Sequence, residues 1–143
     1  MYQRLQYFGV YGIIRNDQRV LLVKKKGAPY DDLWDFPGGK IEFGEVPDTT
    51  LIREILEETG LEIKSYKFLK SDAVVVNYKE EGSNITLHHV GFLFEVMVHS
   101  TESVKSGEDD VVVDWVDISD VNVDAFTPFV QEYIMETTAV LKA

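Results

Sequence analysis

Residues 39–61 read GKIEFGEVPDTTLIREILEETGL, and the residue types follow the order of a loop, a helix and a second loop. Gly38 and Gly39 follow Pro37 on the entering side. Pro47 suits the first turn of a helix, where an N–H is not needed, and Gly60 suits the left-handed residue that ends one. Successive helical residues rotate by about 100°, so Leu51, Ile52, Ile55 and Leu56 form the side expected to face a sheet. The same rotation gathers Glu54, Glu57 and Glu58, at i, i+3 and i+4, on a different side, roughly opposite the apolar stripe. Val46 stands where a helix prefers a small hydroxyl residue as N-cap, which weakens the cap.

Three like charges on one surface repel each other. Arg53 offsets part of this through Glu57, four residues on, and Glu45 in the preceding loop is a further partner for Arg53. The remaining charge suits a hard cation, because Mg²⁺ prefers carboxylate and water oxygens and uses substrate phosphate to complete its shell. Gly38 and Gly39 let the backbone approach closely, which offers a carbonyl as another ligand. Glutamates at this spacing alone are ordinary solvated surface. The surrounding glycines, Glu45 and Arg53 make the stretch more than that.

The stretch resembles the signature of the Nudix (MutT-like) hydrolases at every specified position: Gly39, Glu45, Arg53, Glu54, Ile55, Glu57, Glu58, Gly60 and Leu61. At average residue usage the coincidence has odds of roughly one in ten million. The likeness extends to the LLVKKK that closes an earlier strand, the WDFPGGKIEFGE lead-in and the WVD at Trp115. It implies an α+β Nudix fold, a mixed β-sheet sandwiched between α-helices, filling residues 1–143 as a single domain. It implies hydrolysis of a pyrophosphate bond in a nucleoside diphosphate linked to another moiety, with Mg²⁺ as cofactor and Mn²⁺ as its substitute. Nucleoside triphosphates, dinucleoside polyphosphates and nucleotide sugars all fit that description.

By the same resemblance Glu57 and Glu58 match the metal-binding pair, Glu54 a metal ligand or general base, and the Gly38 carbonyl an additional ligand. Glu45 and Arg53 match positions that orient the helix carboxylates. A further acidic ligand or base is expected from a loop ahead of the last strand, and Glu108 and Asp109 are both candidates. Two other readings of the fold stand against hydrolysis. A catalytically silent nucleotide-sensing module is disfavoured because the glutamates are all present, and a diphosphate isomerase because its chemistry calls for a cysteine.

The rest of the chain supplies strands and a second helix. Phe8–Ile14 and Arg19–Val23 are rich in β-formers around an Arg15–Gln18 turn. A second hairpin is expected from Phe68–Tyr78 and Ile85–Val98, turning through residues 80–84, with Val90, Phe92, Phe94, Val96 and Val98 on one face. Another strand is expected at Val111–Val116. Thr127 and Pro128 read as N-cap and first residue of a last helix carrying Phe129, Val130, Tyr133, Ile134, Val140 and Leu141.

Outside the glutamate stretch the candidates are weaker. Lys24, Lys25, Lys26 and Lys40 can meet phosphate, although lysines at a strand end and in a loop are more often solvated, and of these Lys40 alone sits beside the stretch. Tyr78, Trp34 and Phe36 can stack on a base or simply pack, with Tyr78 favoured because its placement resembles that of a tyrosine in dinucleoside-polyphosphate members. His88 and His89 are neighbours in a strand, point to opposite faces and read as structural.

The composition agrees. A formal charge of −11 repels polyanions, so long nucleic acid is a poor partner and a small phosphate substrate needs cations between it and the protein. The chain has no cysteine, which excludes disulfides, thiolate metal sites and thiol nucleophiles. With no leader pattern and no long apolar run, a cytoplasmic protein without membrane contact is expected. Self-association as a homodimer stays open.

Overall fold

The computed structural model describes residues 2–104, 111–119 and 122–142. Seven strands and two helices run in the order β1 Tyr2–Asn16, β2 Arg19–Lys24, β3 Trp34–Asp35, β4 Gly38–Lys40, α1 Pro47–Thr59, β5 Ile63–Glu80, β6 Ser83–Val98, β7 Val113–Asp117 and α2 Pro128–Lys142. The sheet order is β3-β2-β1-β6-β5, with β4 paired to β1 and β7 to β2. The central pair, β1 and β6, is parallel from Tyr2↔Asn84 to Ile14↔Val96, and the other pairings are antiparallel. The sheet is therefore mixed, as expected.

Both faces of the sheet are covered, which explains why Val10–Ile14 and Val20–Val23 are buried without alternation. Side chains still alternate, but toward two cores. Val10, Ile14, Leu21, Phe94 and Val96 meet Leu51 and Ile55 of α1. Tyr11, Ile13, Val20, Leu22 and Leu93 meet Phe129, Val130 and Ile134 of α2.

Several elements differ from the sequence expectation. The hairpin strands are longer, and their turn narrows to Glu81 and Gly82, both with positive φ (49° and 78°), the geometry of a two-residue hairpin loop. β6 buries Ile85, Leu87, His89 and Leu93 as well as the opposite face, because α2 and the β2–β3 loop cover a side the apolar alternation did not mark. The α1 stripe is rotated. Thr50, Leu51, Ile55 and Thr59 are buried, while Ile52 and Leu56 are about half exposed. Glu54 and Glu58 flank the buried stripe rather than opposing it, and this inward turn lets them reach β4.

The helix ends follow the residue types. Pro47 opens α1, Val46 makes no side-chain cap bond, and Gly60 closes the helix at φ 73° with its N–H donating to the Leu56 carbonyl. The Glu45 carboxylate accepts from the Thr50 hydroxyl and the Glu42 N–H, which ties the entering loop to the first turn of α1 without capping its backbone. Thr127 does precede α2, and its carbonyl accepts from the Gln131 N–H, but its hydroxyl donates to Asp35 at 2.8 Å. The side chains of Val140 and Leu141 lie outside the described residues.

Candidate active site

Two close approaches between β1, β4 and α1 build the acidic half of the site. A Cβ on Gly38 would overlap the Val10 carbonyl, and one on Gly39 would lie 2.5 Å from the Glu54 carboxylate carbon. Only glycines let β4 run between β1 and the helix. The Gly38 N–H then donates to Glu58 Oε1 at 3.1 Å.

Arg53 organises the carboxylates around this strand. Its Nε and Nη2 bind the two Glu45 oxygens at 2.8 and 2.9 Å, and its Nη1 reaches Glu54 at 2.8 Å and Glu57 at 3.3 Å. Nη2 also donates to the Lys40 carbonyl at 3.3 Å, tying the fork to β4. The bidentate guanidinium holds Glu45 down to about 2. Burial pushes Glu58 up to about 8 against the pull of Lys25 and the Gly38 N–H, and burial also raises Glu54 against Arg53. Two carboxyls held above their ordinary range beside an exposed third are short of positive charge.

That shortage is the fit test for a cation. Among the described residues no three acidic or histidine side chains already converge as a metal cage. Mg²⁺ needs none, since it keeps several waters and takes one or two carboxylates with the substrate phosphates. Hard oxygens from Glu54, Glu57, Glu58 and the Gly38 carbonyl therefore suit it. Glu108 and Asp109 lie outside the described residues.

Two cavities meet at this place. The acidic one, about 440 Å³, is lined by Gly38, Gly39, Glu54, Glu57 and Glu58. The other, about 430 Å³, is lined by Tyr11, Tyr30, Asp35, Lys40, Tyr78, Leu87 and His89. Tyr7, Lys25 and Lys26 line both. Lys40 thus belongs to the aromatic cavity and not the acidic one, and Tyr78 is 38 residues away in sequence but lines the same cavity.

The remaining sequence candidates separate cleanly. Lys24 lies 3.5 Å from Asp32 and 5.3 Å over the Trp34 ring, so both are occupied with each other. Phe36 is core. His88 is on the far face of β6, bonded to Gln6 at 3.2 Å.

Sequence reasoning missed Tyr7, Asp35 and the cavity-facing position of His89, and favoured solvent for Lys25 and Lys26. Tyr7 is pushed up to about 12, chiefly by burial and then by Glu54. Asp35 is fully buried and raised by burial, with Oδ1 accepting from the Phe36 N–H and the Thr127 hydroxyl. The run of three lysines was the one available signal, since two of them follow the end of β2 where it reaches both cavities.

Residues 4–137 match the NUDIX domain family. The chain belongs to the Nudix family. This Nudix chain is 31% identical over 110 residues to an ADP-ribose pyrophosphatase of Methanocaldococcus jannaschii, covering 77% of itself but 61% of that protein. It is 28% identical over 119 residues to the 8-oxo-dGTP diphosphatase of Escherichia coli, covering 82% of itself and 84% of that protein. Its fold superposes on the crystal structure of a MutT Nudix hydrolase from Burkholderia pseudomallei with a TM-score of 0.68 at 25% identity, covering 92% of this chain and 96% of that one. The α+β sandwich is thus the fold of MutT-type Nudix proteins. Among the described residues no helix is long and apolar enough to cross a membrane.

Proposed function

We propose that this Nudix protein hydrolyses a pyrophosphate bond in a nucleoside diphosphate linked to another group, with Mg²⁺ or Mn²⁺ held by Glu54, Glu57, Glu58 and the Gly38 carbonyl. The observation that carries the reading is the junction of the two cavities. A carboxylate-lined space and an aromatic one share the wall formed by Tyr7, Lys25 and Lys26. A nucleotide has the same division, with anionic oxygens at one end and a planar base at the other.

Bound Mg²⁺ supplies Lewis acidity toward phosphoryl oxygens and makes water a better nucleophile at neutral pH. Arg53 and Glu45 keep the helix carboxylates on the β4 side. Glu54, a turn before the Glu57–Glu58 pair, takes the proton of the attacking water. Lys25 and Lys26 meet anhydride oxygens at the shared wall, and Lys40 and Tyr78 contact the substrate on the aromatic side. Glu108 or Asp109 supplies a further ligand or base; Val111, which follows them closely, lines the acidic cavity.

The test is phosphate or pyrophosphate release from a panel of ADP-ribose, 8-oxo-dGTP, the common nucleoside triphosphates and a dinucleoside tetraphosphate. Release from at least one, abolished by chelator and restored by Mg²⁺, is expected. Binding without release from any would favour a nucleotide-sensing module, and turnover in excess chelator would remove the metal mechanism.

A further inference from the structure

Three side chains of the aromatic cavity form a hydrogen-bonded chain that hydrolysis does not use. Tyr11 Oη lies 2.7 Å from His89 Nε2, and Tyr30 Oη lies 2.8 Å from His89 Nδ1. All three line the cavity, with exposures of 2% for Tyr11, 4% for His89 and 7% for Tyr30. Tyr7 meets the imidazole edge-on at 5.3 Å and Phe129 packs on it at 4.8 Å, so the ring is fixed. Burial, then the charge of Lys25, hold His89 down to about 4, which makes it neutral near pH 7. A neutral imidazole has one donor nitrogen and one acceptor, so the two tyrosines cannot play the same part.

The hydroxyls decide which nitrogen carries the hydrogen. Among the described residues, neither has another hydrogen-bond partner. Tyr11 is the deeper, its hydroxyl packed against Gly9 so closely that a Cβ there would collide with it. A buried O–H with no acceptor costs more than an ordinary hydrogen bond returns. Tyr11 therefore donates to Nε2, the hydrogen of His89 sits on Nδ1, and Nδ1–H donates to Tyr30. The O–H of Tyr30 is left unspent at the more exposed end of the chain.

We infer that Tyr30, fixed as a donor by His89 and Tyr11 behind it, binds a hydrogen-bond acceptor on the planar group of the substrate. The group recognised is an oxo oxygen or an unprotonated ring nitrogen. This inference rests on reading the aromatic cavity as the base side of a nucleotide site. Tyr30 is a specificity-determining residue, and Tyr11 and His89 are positioning residues that set its polarity.

Two measurements test it on the full chain. A long-range ¹H–¹⁵N correlation spectrum of histidine-labelled protein at neutral pH should show His89 as the Nδ1–H tautomer. An Nε2–H tautomer in the unaltered protein overturns the inference, whatever the Tyr30 variant does. Calorimetric titration with GMP and with AMP in the presence of Mg²⁺ should show binding of at least one. Tyr30→Phe, which keeps the ring, should weaken the tighter of the two by about three- to tenfold, the effect of one hydrogen bond, with little change in melting temperature. Equal affinity in a folded Tyr30→Phe protein, or no binding of either nucleotide to the unaltered one, overturns it. Tyr30-dependent binding of GMP or AMP with no release of phosphate or pyrophosphate from the panel would instead overturn the hydrolase reading and leave this one standing.

Discussion

The acidic and aromatic cavities are nearly equal in size, about 440 and 430 Å³, and they share a wall at Tyr7, Lys25 and Lys26. Their chemistry is opposite. The acidic one gathers Glu54, Glu57 and Glu58, and the Arg53 guanidinium pairs with the first two, so on the proposed reading cations complete it. The aromatic one has Lys40 and Asp35 in its lining but also a set of neutral hydrogen bonds among Tyr11, His89 and Tyr30, which leaves one outward donor. Binding energy realised equally in substrate and transition state affects KM, whereas groups acting on developing charge affect kcat. Damage to the first cavity should therefore lower kcat, and damage to the second should raise KM.

The largest separation should come from Glu54. Glu54→Gln keeps size and helix propensity but removes the basic lone pair and one charge, so kcat should fall by a factor on the order of 10² to 10⁴, the range of a lost general base. Nucleotide affinity should change far less. Recovery of most of the rate at high Mg²⁺ would make Glu54 chiefly a ligand and move the base to Glu108 or Asp109. An unchanged rate at every metal concentration would break the contrast between the cavities.

Arg53 comes next, because it touches Glu45, Glu54 and Glu57 at once. Arg53→Ala leaves Glu45, with a side chain only 15% exposed, bonded to Glu42 and Thr50 but without its counter-charge. Arg53 is itself 29% exposed, so solvent screens part of the loss, but the three carboxylates it holds then repel one another without a counter-charge. Urea unfolding should register the loss and kcat should fall with it, whereas a stability change within about 0.5 kcal/mol, as for an ordinary surface substitution, would mean the fork is incidental.

A third test addresses the aromatic side through pH. His89 faces Tyr7 and Tyr11 of β1, Tyr30 and Lys25 of the β2–β3 loop, and Phe129 of α2. Its folded value, about 4, is below the free value of 6.5, so the unfolded chain takes up the proton first as pH falls. The stability due to neutral His89 is full above pH 6.5 and is lost toward pH 4, by at most about 3 kcal/mol at 1.36 kcal/mol per unit. Glu45, held low, acts only below about pH 4.5, its ordinary value, and Glu58, held high, acts in this window with opposite sign. The comparison is therefore between the unaltered protein and His89→Gln, with melting followed from pH 7.5 to 4.5. The unaltered protein should lose more stability on acidification, and parallel curves would place His89 in a solvated setting.

The two cavities also differ in how far the sequence revealed them. Gly38 to Gly60 bring a turn, a helix and its carboxylates together within one continuous stretch, so helical rotation alone put Glu54, Glu57 and Glu58 side by side. Even there the stripe was misjudged at Ile52 and Leu56, since their exposure depends on the angle at which α1 lies on β1, which tertiary packing sets. The aromatic cavity has no such stretch. His89 meets partners 78 and 59 residues away in sequence, through a parallel β1–β6 register that no local turn specifies. A histidine among β-formers looked structural, and it became a cavity wall only once that pairing was known. Tyr78 was legible as a candidate through a family spacing, which no periodicity would have supplied.

Tyr78 should give the smallest effect, and it is the sharpest check on the aromatic side. It sits near the end of β5 opposite Ile85, half-buried, and lines the cavity across from Tyr30. Stacking of an aromatic side chain on a base contributes about 1–3 kcal/mol on alanine substitution, and a partly exposed ring at the mouth of a cavity belongs at the low end. Tyr78→Ala should then raise KM for the best nucleotide by about fivefold, with kcat unchanged, and Tyr78→Trp should restore most of it because the face is what matters. Stability should barely move, since the ring lies outside both core clusters. A loss of stability with a normal KM would assign Tyr78 to packing of the hairpin. A fall in kcat would mean that the two cavities do not divide binding from chemistry, because a side chain far from the carboxylates would then be acting on the transition state.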